Sequence, residues 1–185
     1  MFRVNLIGGV PATGKTTIMK QIKKQLQVDS FFEKGILKGY TDKKKNNYIF
    51  GVYNNELFEG TDKLSMAVQP KAIEFIKEKK FQSIFIEGDR LFKPSFINQI
   101  KKIVDLNIYI LQVDSQNIEN RHIVRGDEQS ENWLRAKKTT VDNIKNNHPV
   151  HLLINNNKTH IIENIEYIIR NNKSKIKNPL QKSLF

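Results

Sequence analysis

The chain has 185 residues, 31 Lys and Arg against 19 Asp and Glu, a formal net charge of +12, and no cysteine. That length suits one globular domain with a substantial hydrophobic core, and the missing thiols exclude disulfides, thiolate zinc sites, iron–sulfur clusters and cysteine nucleophiles. No apolar run approaches the roughly eighteen residues of a membrane span, and Met1-Phe2-Arg3-Val4-Asn5-Leu6-Ile7-Gly8 lacks a signal-peptide pattern, so a soluble cytoplasmic protein is expected.

Arg3–Gly8 reads as a short buried strand, and Lys15 to Gln27 as a helix with Ile18, Ile22 and Leu26 four residues apart. A glycine-containing loop joins them. After a turn near Asp29-Ser30, Ile36–Tyr40 and Tyr48–Tyr53 read as the strands of a hairpin around the polar tip Asp42–Asn47. A helix is predicted from about Pro70 to Lys80, followed by the apolar strand Ser83–Ile86, which runs into Glu87-Gly88-Asp89-Arg90. Pro94 suits the first turn of a helix whose apolar face is Phe96, Ile97, Ile100, Ile103 and Val104. Asn107–Val113 is a further strand, and a helix from Ser115 carries Ile118, Arg121 and Arg125. The polar stretch Gly126–Asn132 precedes a helix from Trp133 to Asn146, the strand Val150–Ile154 and a last helix, His160–Arg170. Residues 173–185 read as a basic, mobile tail.

Gly9-Val10-Pro11-Ala12-Thr13-Gly14-Lys15-Thr16 fits G-x-x-x-x-G-K-[ST] between a predicted strand and a predicted helix. Gly9 and Gly14 let the backbone close on a phosphate chain, so the loop through Pro11, Ala12 and Thr13 forms a cradle at a helix N-terminus. Lys15 sets a cation against the β- and γ-phosphates, Thr16 offers a hydroxyl to the bridging Mg²⁺, and Thr17 is next in line for an α-phosphate. ATP and Mg²⁺ are the cofactors this implies. With strands and helices alternating, the expected fold is an α/β three-layer sandwich of the P-loop NTPase type. Its mainly parallel five-stranded sheet would carry helices on both faces, an inserted hairpin and a helical lid at about 121–138, in one domain spanning 1–172. Asn155, after the last strand, enters the loop where such folds hold adenine.

Motors and switches usually end a buried strand in Asp-Glu, whereas here the strand ends in Glu87-Gly88-Asp89-Arg90. Glu87 or Asp89 can hold a magnesium water there while Arg90 meets an anionic substrate; the alternative is a surface ion pair between Asp89 and Arg90. Arg121 and Arg125, four apart, project from one helix face, and with Arg135, Lys137 and Lys138 they suit a closing lid. A solvated basic helix is the competing reading. In Gly60-Thr61-Asp62, the carboxylate can take a proton from an acceptor hydroxyl or cap a helix. The four histidines have no metal-ligand spacing. Of the 31 basic residues 25 are Lys, in a chain rich in Ile and Asn, a combination that codon bias produces as readily as a polyanion-binding surface does, so the six arginines carry more information.

Gly60-Thr61-Asp62-Lys63-Leu64-Ser65-Met66-Ala67-Val68-Gln69-Pro70, Glu87-Gly88-Asp89-Arg90-Leu91 and Arg121-His122-x-x-Arg125-Gly126-Asp127-x-Gln129-Ser130-Glu131 resemble bacteriophage P-loop kinases associated with thymine hypermodification. These are the 5-hydroxymethyluracil DNA kinases. The resemblance implies phosphorylation of the base hydroxyl within DNA, in the cytoplasm of an infected bacterial host, with Asp62, Asp89, Arg90, Arg121 and Arg125 lining the active site. Lys15 would neutralise the transferred group, Thr16 and Asp89 would organise Mg²⁺, and Asp62 would be the general base. Arg121 and Arg125 would clamp the transition state, and Arg90, Thr61 and Arg135 would contact substrate. DNA would track the basic surface. A free deoxynucleotide or nucleoside kinase needs the same parts, and an NTPase without an acceptor is the alternative from another class.

Overall fold

The computed structural model describes residues 2–56, 59–78, 80–125 and 129–173. The expected tail beyond Lys173, lid residues 126–128 and the Arg125 side chain lie outside that description.

In chain order the elements are β1 (Arg3–Gly8), α1 (Lys15–Gln25), β2 (Ser30–Lys34), β3 (Leu37–Thr41), β4 (Asn47–Phe50), a 3₁₀ turn (Thr61–Lys63), α2 (Val68–Glu78) and β5 (Ser83–Glu87). Then come α3 (Pro94–Ile100), β6 (Asp105–Gln112), α4 (Ser115–Arg125), α5 (Glu131–Asn147), β7 (His151–Ile154) and α6 (Lys158–Lys173). All strands join one sheet in the order β2-β3-β4-β5-β1-β6-β7.

The sheet is seven-stranded and mixed, which corrects the expected five-stranded one. β4, β5, β1, β6 and β7 run parallel, while β3 is antiparallel to both β4 and β2. The predicted hairpin is therefore no insertion beside the sheet: β4 pairs with β5 in parallel, from Asn47 opposite Ser83 to Phe50 opposite Ile86, and β3 and β2 continue outward from it. Ser30–Lys34, which follows the turn expected near Asp29-Ser30 and carries no predicted element, is the edge strand, with Phe31 exposed and only Phe32 turned toward the core. Phe32 stacks on Phe75 of α2 with ring centroids 5.5 Å apart, and this contact fastens the edge to the helix beneath it.

Strand alternation divides the core between the two faces. Ile84 and Ile86 of β5 point to the side covered by α2, α3 and Ile144 of α5, where Phe75, Phe96 and Ile100 are buried. Phe85 points to the other side, against Ile18, Met19 and Ile22 of α1 and Ile165 and Ile168 of α6. Covered on both faces, β1 and β5 are buried along their whole length, which is why they read as near-continuous apolar runs. α5 differs, since among its residues only Ile144 is fully buried, with half-buried Val141 packed beside it. The carboxyl ends of the parallel strands, Gly8, Phe50, Glu87, Gln112 and Ile154, lie along one edge of the sheet, the edge at which open α/β sheets bind ligands. Among the described residues, no helix is long and apolar enough to cross a membrane.

Candidate functional site

The loop after β1 turns directly into α1. Gly14 is the N-cap of α1 at φ 88° and ψ 18°, a left-handed conformation, and a Cβ on it would fall 2.6 Å from Asn155 Nδ2. Buried Asn155 donates from that Nδ2 to the Thr13 carbonyl at 2.7 Å, while its Oδ1 accepts from Asn164 Nδ2 at 3.2 Å. Asn155 thus ties the loop to α6 as well as reaching the cleft wall. Thr13 is turned inward, its hydroxyl donating to the Val10 carbonyl at 2.8 Å. Lys15 curls over the loop, with Nζ donating to the carbonyls of Gly9 at 3.0 Å and Val10 at 2.9 Å. The ammonium and the N-terminus of α1, with no acid in its first turn, face the same concavity.

The wall opposite is built by two loops that interlock. Thr61 Oγ1 donates to the Glu87 carbonyl at 2.9 Å, and Asp62 Oδ1 accepts from the Asp89 backbone N–H at 2.7 Å. Gly60, at φ 73° and ψ −145°, passes so close to β5 that a Cβ would lie 2.2 Å from Glu87 Oε1. The carboxylate of Asp62 therefore caps no helix of its own and holds the neighbouring loop. Thr61, expected to contact substrate, is fully buried in this lock and lies outside the cleft lining.

Glu87 Oε1 accepts from Thr16 Oγ1 and from the Tyr53 hydroxyl, both at 3.3 Å. The structure thus brings Glu87 to the Thr16 hydroxyl, the position expected for Asp89. Burial pushes the Glu87 carboxyl up to about 7, against the pull of Lys15, with Asp62 adding to the rise. Asp62 is raised by burial and then by Asp89, while its hydrogen bond from the Asp89 N–H opposes the rise. A carboxylate held above its usual range is a stronger proton acceptor when ionised.

The Glu87 shift has a sign that can be measured. Folded Glu87 binds its proton more tightly than in the unfolded chain, so its contribution to stability is fully present below pH 4.5 and is lost as pH rises through about 7. In metal-free buffer, the Glu87→Gln variant should gain Tm relative to the wild type as pH rises across that window. A Tm difference independent of pH would show that Glu87 is ionised throughout.

The third wall comes from α4 and α5. Arg121 donates from Nη1 to the Ala12 carbonyl at 3.1 Å and from Nη2 to the carbonyls of Asn155 at 2.8 Å and Asn156 at 3.2 Å. Lys137 of α5 pairs with Asp89, Nζ to Oδ2 at 2.5 Å, and stands 5.0 Å from the Trp133 ring centroid. Arg90 donates from Nε to the Leu64 carbonyl at 3.3 Å.

These walls enclose a cleft of about 1260 Å³. Gly9, Pro11, Ala12, Gly14, Lys15, Thr16, Thr17, Asp62, Asp89, Arg90, Arg121 and Asn155 all line it, so one cavity gathers most of the residues singled out from sequence. Arg135 is exposed and lies outside the lining. Lys137, expected with Arg135 and Lys138 as part of the lid, does line the cleft, whereas sequence reading left out the Lys20–Glu59 ion pair at 2.5 Å and Trp133 as a wall residue. The four-residue spacing of Trp133 and Lys137 was the available signal, because it places them on one helix face.

Among the described residues no group of three or more His, Asp or Glu forms a ready cation site. The Thr16 hydroxyl and the Glu87 carboxylate nevertheless supply a hard oxygen pair, which fits Mg²⁺, an ion that takes one or two protein oxygens and keeps several waters. The loop amides and Lys15 fit a polyphosphate.

Residues 2–160 match the family model described as P-loop Nucleotide Kinase3. No curated protein matches the chain. A gluconokinase from Sinorhizobium meliloti superposes with a TM-score of 0.52 at 8% identity, covering 91% of this chain and 94% of that one. A sugar kinase from Janibacter sp. gives 0.47 at 10% identity over 92% and 95% of the two chains. The deoxyadenosine kinase of M. mycoides, with products dCMP and dCDP bound, gives 0.45 at 15% identity over 91% and 97%. The first likeness shows a shared fold, and the two lower scores add no argument.

Proposed function

The chain belongs to the P-loop Nucleotide Kinase3 family, and from that premise we propose an ATP-dependent phosphotransferase whose acceptor is the 5-hydroxymethyl group of hydroxymethyluracil in DNA. One observation carries the two-substrate part of this reading. The cleft, at about 1260 Å³, exceeds the roughly 300–1,000 Å³ of a single-ligand pocket, and it sets the phosphate loop against a wall bearing a half-buried carboxylate, Asp62. That is room for a donor and an acceptor together, with a proton acceptor between them.

In this reading the loop amides and Lys15 hold the donor's β- and γ-phosphates. Thr16 and Glu87 would hold Mg²⁺, with Asp89 close by, and the ion supplies charge neutralisation across the phosphates when bound. Asp62 receives the acceptor hydroxyl's proton as its oxygen bonds to the γ-phosphorus and the bond from that phosphorus to the ADP oxygen breaks. Arg121, which leaves its backbone-carbonyl partners to do so, and Arg125, assigned by the motif resemblance, would neutralise the charge that develops on the phosphoryl oxygens as the lid closes and excludes water. Arg90 meets an acceptor phosphate. The base-in-DNA acceptor is supported by the quoted motif resemblance and by the net charge of +12. A free nucleotide as acceptor is the second reading, favoured by the family's description.

The test is transfer from γ-labelled ATP to hydroxymethyluracil-containing DNA, to ordinary DNA and to free nucleotides. Label in the modified DNA alone is the expected result. Label in free nucleotides alone would replace the DNA acceptor with the second reading, and inorganic phosphate without any labelled acceptor would mark an NTPase.

A further inference from the structure

We infer that Trp133 is the platform on which the acceptor's base stacks, with Lys137 beside it as the cation that receives an acceptor phosphate. This rests on the base-acceptor reading above, in either its DNA or its nucleotide form.

Trp133 is the only tryptophan of the chain and lies in the first turn of α5. It belongs to neither core cluster and stays 37% exposed on the cleft wall, so core packing does not explain so large an aromatic there. Its place in the cleft is fixed through Lys137, whose ammonium lies 5.0 Å from the ring centroid and 2.5 Å from Asp89 Oδ2. Asp89 in turn is hydrogen-bonded through its backbone to Asp62. The ring on the α4–α5 wall is therefore joined through Lys137 to the Asp62–Asp89 wall opposite the phosphate loop. Ser130 caps the helix just before the ring, its Oγ accepting from the Trp133 N–H at 3.4 Å, so the platform sits at a defined helix start.

The chemistry that fits is a planar nucleobase. An indole face binds any base by stacking and is tolerant of which one. The adjacent ammonium is a compact cation that can exchange a carboxylate for a phosphate. In this structure Asp89 holds that charge. A base carrying a phosphate would offer both partners at once, the ring for Trp133 and the anion for Lys137.

The sole tryptophan makes a direct readout possible. Its fluorescence, excited where tyrosine does not absorb, should be quenched by a hydroxymethyluracil oligonucleotide or by thymidine monophosphate, and much less by ADP alone. In steady-state transfer, Trp133→Leu should raise the acceptor KM on the order of tenfold while the ATP KM stays within about twofold, and Trp133→Phe should restore most of the loss. Quenching by ADP that the acceptor leaves unchanged, or an unaltered acceptor KM in Trp133→Leu, would overturn the inference and leave the kinase reading standing. Failure of the wild type to transfer to any base-containing acceptor would overturn the reading itself and the platform with it.

Discussion

Replacing Lys15 with Met lowers the single-turnover rate of phosphoryl transfer on the order of 10²–10³-fold, the cost of removing one preorganised charge from a transition state of this kind. The native fold is retained, since the loop is held independently by Asn155 on the Thr13 carbonyl and by the Thr13 hydroxyl on Val10. The loss has two sources. The transferred phosphoryl group loses its cation, and Glu87 loses the charge that holds its carboxyl down, so that the oxygen partner of Thr16 becomes more fully protonated near neutral pH. Lys15→Arg should not restore the rate, because a planar fork cannot occupy the place of a compact ammonium curled over two carbonyls. A rate within tenfold of the wild type in Lys15→Met would mean that another group supplies the charge, contrary to the assignment made for this cradle.

Gly60→Ala is expected to damage stability and activity together. At φ 73° and ψ −145° the backbone lies in a region that is close to glycine-only, which costs about 1–3 kcal/mol for any other residue. The new Cβ would also meet Glu87 Oε1 at 2.2 Å, and that carboxylate is buried and held by Thr16 and Tyr53, so it cannot swing aside without surrendering both. A total near 3 kcal/mol corresponds to a fall in Tm of roughly 6–12 °C for a chain of this size. Gly35→Ala is the control, since Gly35 also has a positive φ, of 61°, but nothing lies within 4 Å of its added Cβ. A similar Tm loss in both variants would show that backbone strain alone acts and that the contact with Glu87 is loose. A larger loss at Gly60 is expected from strain and contact together, and an accompanying fall in transfer places part of the damage at Glu87.

How much of this was legible beforehand depends on the range of the interactions. The phosphate cradle is local: Gly14, Lys15 and Thr16 sit where strand becomes helix, and their spacing states the geometry. Gly60-Thr61-Asp62 and Glu87-Gly88-Asp89 were each recognisable as loops bearing carboxylates. Their mutual fit was not, because it depends on the parallel pairing of β4 with β5, which draws together segments 26 residues apart. The choice between Glu87 and Asp89 beside Thr16 likewise turns on the backbone at Gly88, where a φ of 104° redirects the chain. Which basic residue of α5 faces the cleft depends on helical phase, so Lys137 lines it and Arg135 does not. β2 escaped notice because an antiparallel edge strand with one inward phenylalanine has almost no periodic signal.

The uneven burial of α5 has a mechanical consequence. Built into the body at Val141 and Ile144 and reaching the site at Trp133, the helix is a cantilever of eight residues, about 12 Å, tied along its length by the Lys137–Asp89 ion pair. Tilting it by about ten degrees at its root carries the tip through roughly 2 Å. A movement comparable to the gap between contact and no contact at the acceptor wall is thus available without disturbing the packed interior.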